Sequence, residues 1–350
     1  MLMSGVLRRR RSSTALLSFA AAAALLAGLA EPAEAARRKK PSGGGYAPPY
    51  AAIVVDAKTG RVLHGENEDA LRHPASITKV MTLYLLFEQL DRGRLRLDSP
   101  LTVSSRAASQ APSKIGVRPG DTIPVEDAIK ALVTKSANDV AVVVAENIAG
   151  SEDAFAEMMT RRARALGMSR TVFRNASGLP NTSQVTTARD LSILARALQD
   201  RFPRYYRYFD TRVFHFAGAS HRNHNKLLGR VEGVDGIKTG FTRASGFNLM
   251  TNAKTSDRHI VTIVLGGRSG ASRDQIVTNL VRQNLPRAFA GARSAPMVAE
   301  VSERPRPAVV AETVRPRGSE ATVETTATTS TSTNARTAPA RPLDIDGMRA

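Results

Sequence analysis

The sequence predicts an α+β fold: one antiparallel sheet drawn from both ends of a single domain, with helices covering its faces and a helical insertion. Three observations lead there. Strand-like runs stand at 51–65 and again at 233–267, helical patterns fill much of 75–198, and no period of 20–50 residues repeats. At about 100–200 residues per domain, the 350-residue chain has room for one such domain and its appendages.

The elements follow in order. AAIVVDA (51–57) and RVLHG (61–65) flank a turn and read as a β-hairpin. From Ala75 to Leu90, the residues Val80, Leu83, Phe87 and Leu90 recur at three- and four-residue intervals, the stripe of a buried helix. Val125 to Val133, Asp139 to Ile148, Glu152 to Leu166 and Ala188 to Leu198 carry further helical patterns. GVDGIKT (233–239), GFNLMTNAK (246–254) and HIVTIVLGG (259–267) are three strand-like runs, and a last helix spans about Ser272 to Arg287. Tyr205, Tyr206, Tyr208 and Phe209 are expected to cover core or sheet surface.

The ends of the chain differ in kind from the middle. Arg8 to Arg11 precede an uncharged apolar run from Ala15 to Ala30, and Ala33-Glu34-Ala35 offers a small-x-small site. That order is a secretory signal peptide over residues 1–35, cleaved after Ala35. The run is shorter than the ~20 apolar residues that span a bilayer, so export, rather than anchoring, is expected. Residues 36–46 are basic and then Gly/Pro-rich, a flexible lead-in. Residues 293–350 are rich in Thr, Ala and Pro with few large apolar side chains, the composition of a disordered tail. One folded domain, 47–292, remains.

Composition narrows the function. The chain has 50 Lys+Arg against 31 Asp+Glu and no Cys or Trp, and residues 41–292 hold a net charge of +12. Lack of Cys removes disulfides, thiolate metal sites and a Cys nucleophile. The basic middle suits an anionic wall or membrane surface. Nucleic acid is not expected as a partner, because no helix face clusters Arg/Lys and no aromatic platform is present. His221 and His224 form H-x-x-H without the glutamate of H-E-x-x-H, so they read as solvated loop residues, not zinc ligands. Neither a G-x-S-x-G elbow nor a P-loop occurs.

Three short motifs carry chemistry. Ser76-Ile77-Thr78-Lys79 follows Pro74 at a predicted helix start. Residues three apart share a face, so the Lys79 amine can reach the Ser76 hydroxyl and, when neutral, take its proton. Ser136-Ala137-Asn138 lies between two predicted helices, where a hydroxyl can shuttle a proton and an amide can orient a partner. Lys238-Thr239-Gly240 ends a strand run, and a strand edge there can pair with an extended peptide whose carboxylate Lys238 and Thr239 would hold. Gly240 would let the substrate backbone approach closely. Each pattern alone is weak: S-x-N recurs at Ser332-Thr333-Asn334 and K-T-G at Lys58-Thr59-Gly60, which reads as the first hairpin's turn.

In the order 76, 136, 238 the three motifs resemble the penicillin-binding serine transpeptidase and β-lactamase superfamily. HPASITKVMT, TKSANDVAVVVAENIAGSEDAFAEMM, NASGLPN, TTARDLSILARAL and VDGIKTGFTRASGFNLM are similar to its D-alanyl-D-alanine carboxypeptidase branch. The resemblance implies the β-lactamase/transpeptidase-like form of the α+β fold, with a helical subdomain. It implies that Ser76 attacks the bond between two terminal D-alanines of a peptidoglycan stem peptide, with Lys79 as base. Ser136 and Asn138 would handle protons and orientation, and Lys238, Thr239 and Gly240 would bind substrate. The backbone N–H groups of Ser76 and Phe241 would form an oxyanion hole, worth roughly 2.7–4 kcal/mol per donor. β-Lactams would acylate Ser76 as covalent inhibitors, and no cofactor is implied.

One requirement is independent of the resemblance. Free lysine titrates near ~10.4, and bringing it to ~7 takes about 4–5 kcal/mol, which burial and the charge of Lys238 would supply for Lys79. Relatives of this branch often carry a β-rich domain and an amphipathic anchor after the catalytic domain; here a Thr/Ala/Pro-rich segment follows. A soluble or wall-associated protein is therefore expected. The alternatives are a D,D-endopeptidase on crosslinked peptides, a β-lactamase, for which no deacylating Glu is assignable, and a catalytically silent wall-binding module.

Overall fold

The structure, a computed structural model, describes residues 46–298. Strand β1 (Ala51–Asp56) returns as β2 (Val62–Glu66) through a turn that holds Lys58-Thr59-Gly60. Asp56 Oδ1 accepts from the backbone N–H of Lys58 at 2.9 Å and of Thr59 at 3.0 Å, and Gly60 adopts φ +74°. Glycine suits that left-handed corner. The first K-T-G copy is thus a hairpin turn.

A 3-10 turn (Ala75–Thr78) leads into α1 (Lys79–Asp91). A helical body follows: α2 (Ser105–Ala108), α3 (Val125–Thr134), α4 (Asn138–Ala149), α5 (Glu152–Ala165), α6 (Ala188–Arg201) and α7 (Pro203–Tyr206). A short ladder of β3 (Pro100–Thr102) with β4 (Thr122–Pro124) interrupts it. The hairpin of β5 (Val213–Phe216) and β6 (Ala219–Arg222) leads on to β7 (Val234–Thr242), β8 (Gly246–Lys254), β9 (His259–Gly267) and α8 (Gly270–Asn284).

The main sheet runs β2-β1-β9-β8-β7, with every neighbouring pair antiparallel. Strands from both ends of the domain therefore meet where β1 pairs with β9. Alternation along β1 sorts its side chains: Ala51, Ile53 and Val55 join the large core formed with the helical body, while Ala52 and Val54 join a smaller core with α8. Helix α1 crosses the large core and is buried from Lys79 through Leu90, which places a lysine where only apolar side chains normally belong. Phe87 packs on Phe202, Tyr205 and Phe209, and Tyr206 donates to Asp235 at 2.8 Å, so the aromatic cluster does serve core and sheet.

Three expectations are corrected. Residues 75–78 are a 3-10 turn, not the first α turn. His221 stands on β6 against the Phe214 ring rather than in a loop, whereas His224 does lie in a loop, on the cleft wall described below. The segment expected to be disordered from 293 begins as bound chain: Arg293 Nη1 and Nη2 meet Asp200 at 2.5 and 2.7 Å, and the N–H groups of Ser294 and Ala295 donate to Lys58 O at 3.1 and 2.8 Å. The expectations for residues 1–35, 36–45 and 299–350 lie outside the described residues. Among the described residues, no helix is long and apolar enough to cross a membrane.

Candidate active site

The edge strand β7 and the helical body enclose a cleft of about 1180 Å³, lined among others by Ser76, Ser136, Asn138, Thr239 and Arg273. One neighbour of β7 is β8, and among the described residues no strand lies on its other side. Alternate backbone N–H and C=O groups of an edge strand remain open to an added peptide.

The backbone before Ser76 is clamped from three sides. Ala75 has φ +49°, a left-handed conformation that costs a non-glycine residue roughly 1–3 kcal/mol and persists only where surroundings enforce it. Asn248 Nδ2 donates to His73 O at 3.1 Å and Pro74 O at 3.2 Å, while its Oδ1 accepts from Gly266 N at 2.9 Å. A Cβ on Gly178 would stand 1.9 Å from Ala75 O, and one on Gly240 would stand 3.0 Å from both Pro74 O and Ser76 N. Gly240 thus also permits a close approach to the protein's own backbone at Ser76.

The tight turn serves the motif. Side chains three apart eclipse in a 3-10 turn, and Lys79 Nζ lies 3.3 Å from Ser76 Oγ. Nζ also donates to Asn138 Oδ1 at 2.7 Å and to Ser177 O at 2.5 Å. A neutral amine has two N–H bonds and one lone pair. With both N–H bonds directed at Asn138 and Ser177, the lone pair is left for the Ser76 hydroxyl. Burial holds the Lys79 pKa well below the usual lysine range, the charge of Lys238 acts the same way, and Asp139 opposes them. The depression expected from burial and Lys238 is present.

Ser136 occupies the sharp joint between α3 and α4 at φ +61°. Its buried Oγ has no hydrogen-bond partner among the described residues. Asn138 opens α4: its N–H donates to Ser113 O at 2.7 Å and its Nδ2 to Ala111 O at 2.8 Å. With Nδ2 engaged there, Oδ1 is the atom left for Lys79.

Thr239, Gly240 and Phe241 line the cleft, while the Lys238 side chain is buried, 1% exposed, with Nζ donating to Thr239 O at 2.9 Å. Burial and the charge of Arg273 push the Lys238 pKa down to about 7. Arg273 comes from α8 and lines the cleft directly. Its Nε donates to Asp274 at 2.8 Å and its Nη1 to Asn248 O at 2.7 Å. Phe241 is 51% exposed, its ring 4.2 Å from that of Phe247.

Lys238 binds fewer protons folded than unfolded between its depressed pKa of about 7 and the ordinary 10.5. Its burial thus costs stability in full below pH 7, and the cost fades as pH rises toward 10.5. Lys238→Met is expected to stabilise the protein on the order of 2–4 kcal/mol at pH 6, with a much smaller gain near pH 10. Urea unfolding at both pH values checks this; equal gains at the two would refute the electrostatic cause.

Several participants were missed by the motifs. Ser177 acts through a carbonyl, Asn248 and Arg273 through contacts made only after the sheet closes, and Gly178 through a Cβ it lacks. Of these, Ser177 and Gly178 lie within NASGLPN and Asn248 within GFNLM, where residue type alone assigns them no task.

A family model described as D-alanyl-D-alanine carboxypeptidase, peptidase S11, matches residues 47–269. The chain is 31% identical over 240 residues to D-alanyl-D-alanine carboxypeptidase DacF of Bacillus subtilis, covering 66% of this chain and 60% of that one. It is 34% identical over 237 residues to DacD of Escherichia coli, covering 66% and 61%. The chain thus spans about 60% of the length of the curated relatives it matches. Among solved structures, D-alanyl-D-alanine carboxypeptidase DacD of Francisella tularensis superposes with a TM-score of 0.65 at 30% identity, covering 68% of this chain and 70% of that one. Penicillin-binding protein D2 of Listeria monocytogenes in its ampicillin-bound form gives a TM-score of 0.59 at 30% identity, covering 69% and 98%.

Proposed function

The chain belongs to the D-alanyl-D-alanine carboxypeptidase family, and from that membership we propose that it is a serine D,D-carboxypeptidase removing the terminal D-alanine of peptidoglycan stem peptides. The observation that carries the reading is Lys79: buried, pKa depressed, with two acceptors for its N–H bonds and Ser76 Oγ at 3.3 Å.

In this mechanism Ser76 Oγ bonds to the carbonyl carbon of the penultimate D-alanine as its proton passes to Lys79 Nζ. The carbonyl oxygen becomes an oxyanion held by the backbone N–H groups of Ser76 and Phe241. The C–N bond then breaks, and the leaving amine takes a proton through the Ser136 hydroxyl, whose Oγ is otherwise unpartnered. Asn138 keeps the Lys79 lone pair aimed. Thr239 and Arg273 receive the terminal carboxylate directly, while buried Lys238 contributes its field and Gly240 lets β7 run against Ser76. Water attacks the acyl-enzyme by the reverse proton path and frees the shortened peptide. The catalytic unit is residues 47–292, exported under direction of residues 1–35 to the periplasm or another extracytoplasmic compartment, where its positive charge favours contact with anionic wall or membrane.

The test is D-alanine release from a pentapeptide ending in D-Ala-D-Ala, with intact-mass measurement after exposure to penicillin. Release is expected, together with a mass gain of one whole penicillin on the peptide containing Ser76, since ring opening expels no atom. Penicillin labelling without release from the pentapeptide, but with cleavage of crosslinked peptide, would replace the carboxypeptidase reading by an endopeptidase one. A Pseudomonas aeruginosa relative named D-alanyl-D-alanine endopeptidase is 31% identical over 223 residues.

A further inference from the structure

The cleft wall is a concentration of positive charge, most of it unpaired among the described residues. Arg212, Arg222, Lys226, Arg230 and Arg243 line it, Arg273 adds a sixth cation, and no Asp or Glu lines it. Among the described residues the first five make no ion pair. The arrangement is built by the chain fold. Arg222 pairs with Val213 across the β5–β6 hairpin, which sets it beside Arg212 at the hairpin base, and Asn223 N donates to Arg212 O at 2.8 Å. The Arg212 guanidinium lies against the backbone of Gly229, where a Cβ would stand 2.6 Å from Nη1 and 2.7 Å from Cζ. Gly229 therefore leaves the space that lets Arg212 sit beside the loop carrying Lys226 and Arg230. Like charges gathered without partners raise the free energy of the empty cleft, and an anion that enters lowers it again.

The reaction needs cationic help for one carboxylate only, the terminal one, and Thr239, Arg273 and the field of Lys238 serve it. Of the remaining cations, Arg212, Arg222, Lys226 and Arg230 stand at the β5–β6 hairpin and on the 223–230 loop, on different elements from the reacting serine, while Arg243 lies in the turn between β7 and β8. We infer that this wall selects acyl peptides carrying free carboxylates upstream of the D-Ala-D-Ala end, with Arg212, Arg222, Lys226 and Arg230 as specificity-determining residues. This inference rests on the carboxypeptidase reading. Peptide carboxylates are favoured over a phosphate polymer because the cations share one cleft with Ser76, where the body of the substrate must lie. Rim charges of this kind act mainly on KM, and their effect fades with salt.

Two pentapeptides ending in D-Ala-D-Ala test it: one with two free upstream carboxylates, the other with both as primary amides. At low salt the acid form is expected to show about 10-fold higher kcat/KM, mostly through KM, as two rim-exposed pairs at several tenths of a kcal/mol each imply. The preference should shrink to about 3-fold or less in 0.5 M salt and in the Arg212→Gln/Arg222→Gln double variant, and should invert in Arg222→Glu with Arg212→Glu. Thermal melting of each variant establishes that it is folded. Equal kcat/KM for the two peptides would overturn the inference while leaving D-alanine release intact, and so would an acid preference unchanged in the folded variants. Absence of release from both peptides would instead remove the carboxypeptidase reading. Competitive inhibition of the wild type by inorganic polyphosphate, without any acid preference, would assign the wall to a phosphate polymer and overturn the proposal.

Discussion

Ser76→Ala is expected to abolish both D-alanine release and penicillin labelling, a loss of about 10⁴-fold or more in kcat. Without Oγ no acyl-enzyme forms, and the remaining donors can only bind substrate. Lys79→Met should approach the same loss in acylation, roughly 10³–10⁴-fold, because the base and its serine act as one unit. The double variant is accordingly expected to be no worse than the single ones. The pH profile supplies the sign. Catalysis needs neutral Lys79, whose pKa is held well below the ordinary 10.5 by burial and Lys238. Acylation should therefore persist at neutral pH and decline on acidification through the depressed pKa. A rate that climbs instead toward pH 10 would show that an ordinary lysine, or another group, is the base. Folding controls matter here, since Lys79→Met removes two buried hydrogen bonds and a part-buried one to Ser76, leaving Asn138 Oδ1 and Ser177 O without their donor.

Gly178→Ala is expected to lower kcat about 100-fold, by moving reacting groups and not by removing one. Its Cβ would fall 1.9 Å from Ala75 O and 2.9 Å from Ser76 N, and its own φ is +83°. Neither neighbour is a flexible side-chain end, so the backbone at Ser76 has to shift. A stability loss of about 2–4 kcal/mol should accompany the kinetic one, from strain and overpacking. Gly167→Ala separates the two contributions: Gly167 has φ +87° with nothing within 4 Å of an added Cβ. That variant is expected to lose about 1 kcal/mol and to keep wild-type kcat. If Gly178→Ala were folded and fully active, the clamp on Ser76 would not matter to catalysis.

The degree to which this was readable beforehand depended on the range of the physics. Local periodicity is a short-range property, so α1, the 51–65 hairpin and the strands near 234, 246 and 259 stood out. The strands β3, β4, β5 and β6 are three or four residues long and offer too few alternations to detect. The 3-10 geometry at Ala75 was equally hidden, since it is imposed by Asn248 and Gly178 from distant parts of the chain. In the tail, the composition of residues 293–298 signals no order, whereas their order comes from Asp200 and the Lys58 carbonyl, partners about 90 and 235 positions away.

Ser76, Lys79, Ser136, Asn138 and the Lys238-Thr239-Gly240 strand follow from residue type and order, because a reacting pair three residues apart needs no more than a local turn. The electrostatic state of Lys79 was also foreseeable in direction, since any base in that task must be desolvated. How the state is achieved was not. It needs the Ser177 carbonyl 98 residues from Lys79 and the field of Lys238 from the far edge of the sheet. The full burial of Lys238 and the arrival of Arg273 in the cleft likewise depend on contacts far apart in sequence. Side-chain chemistry is carried by the covalent chain, but desolvation, field and steric room depend on which segments become neighbours, and here that is decided by closure of the antiparallel sheet.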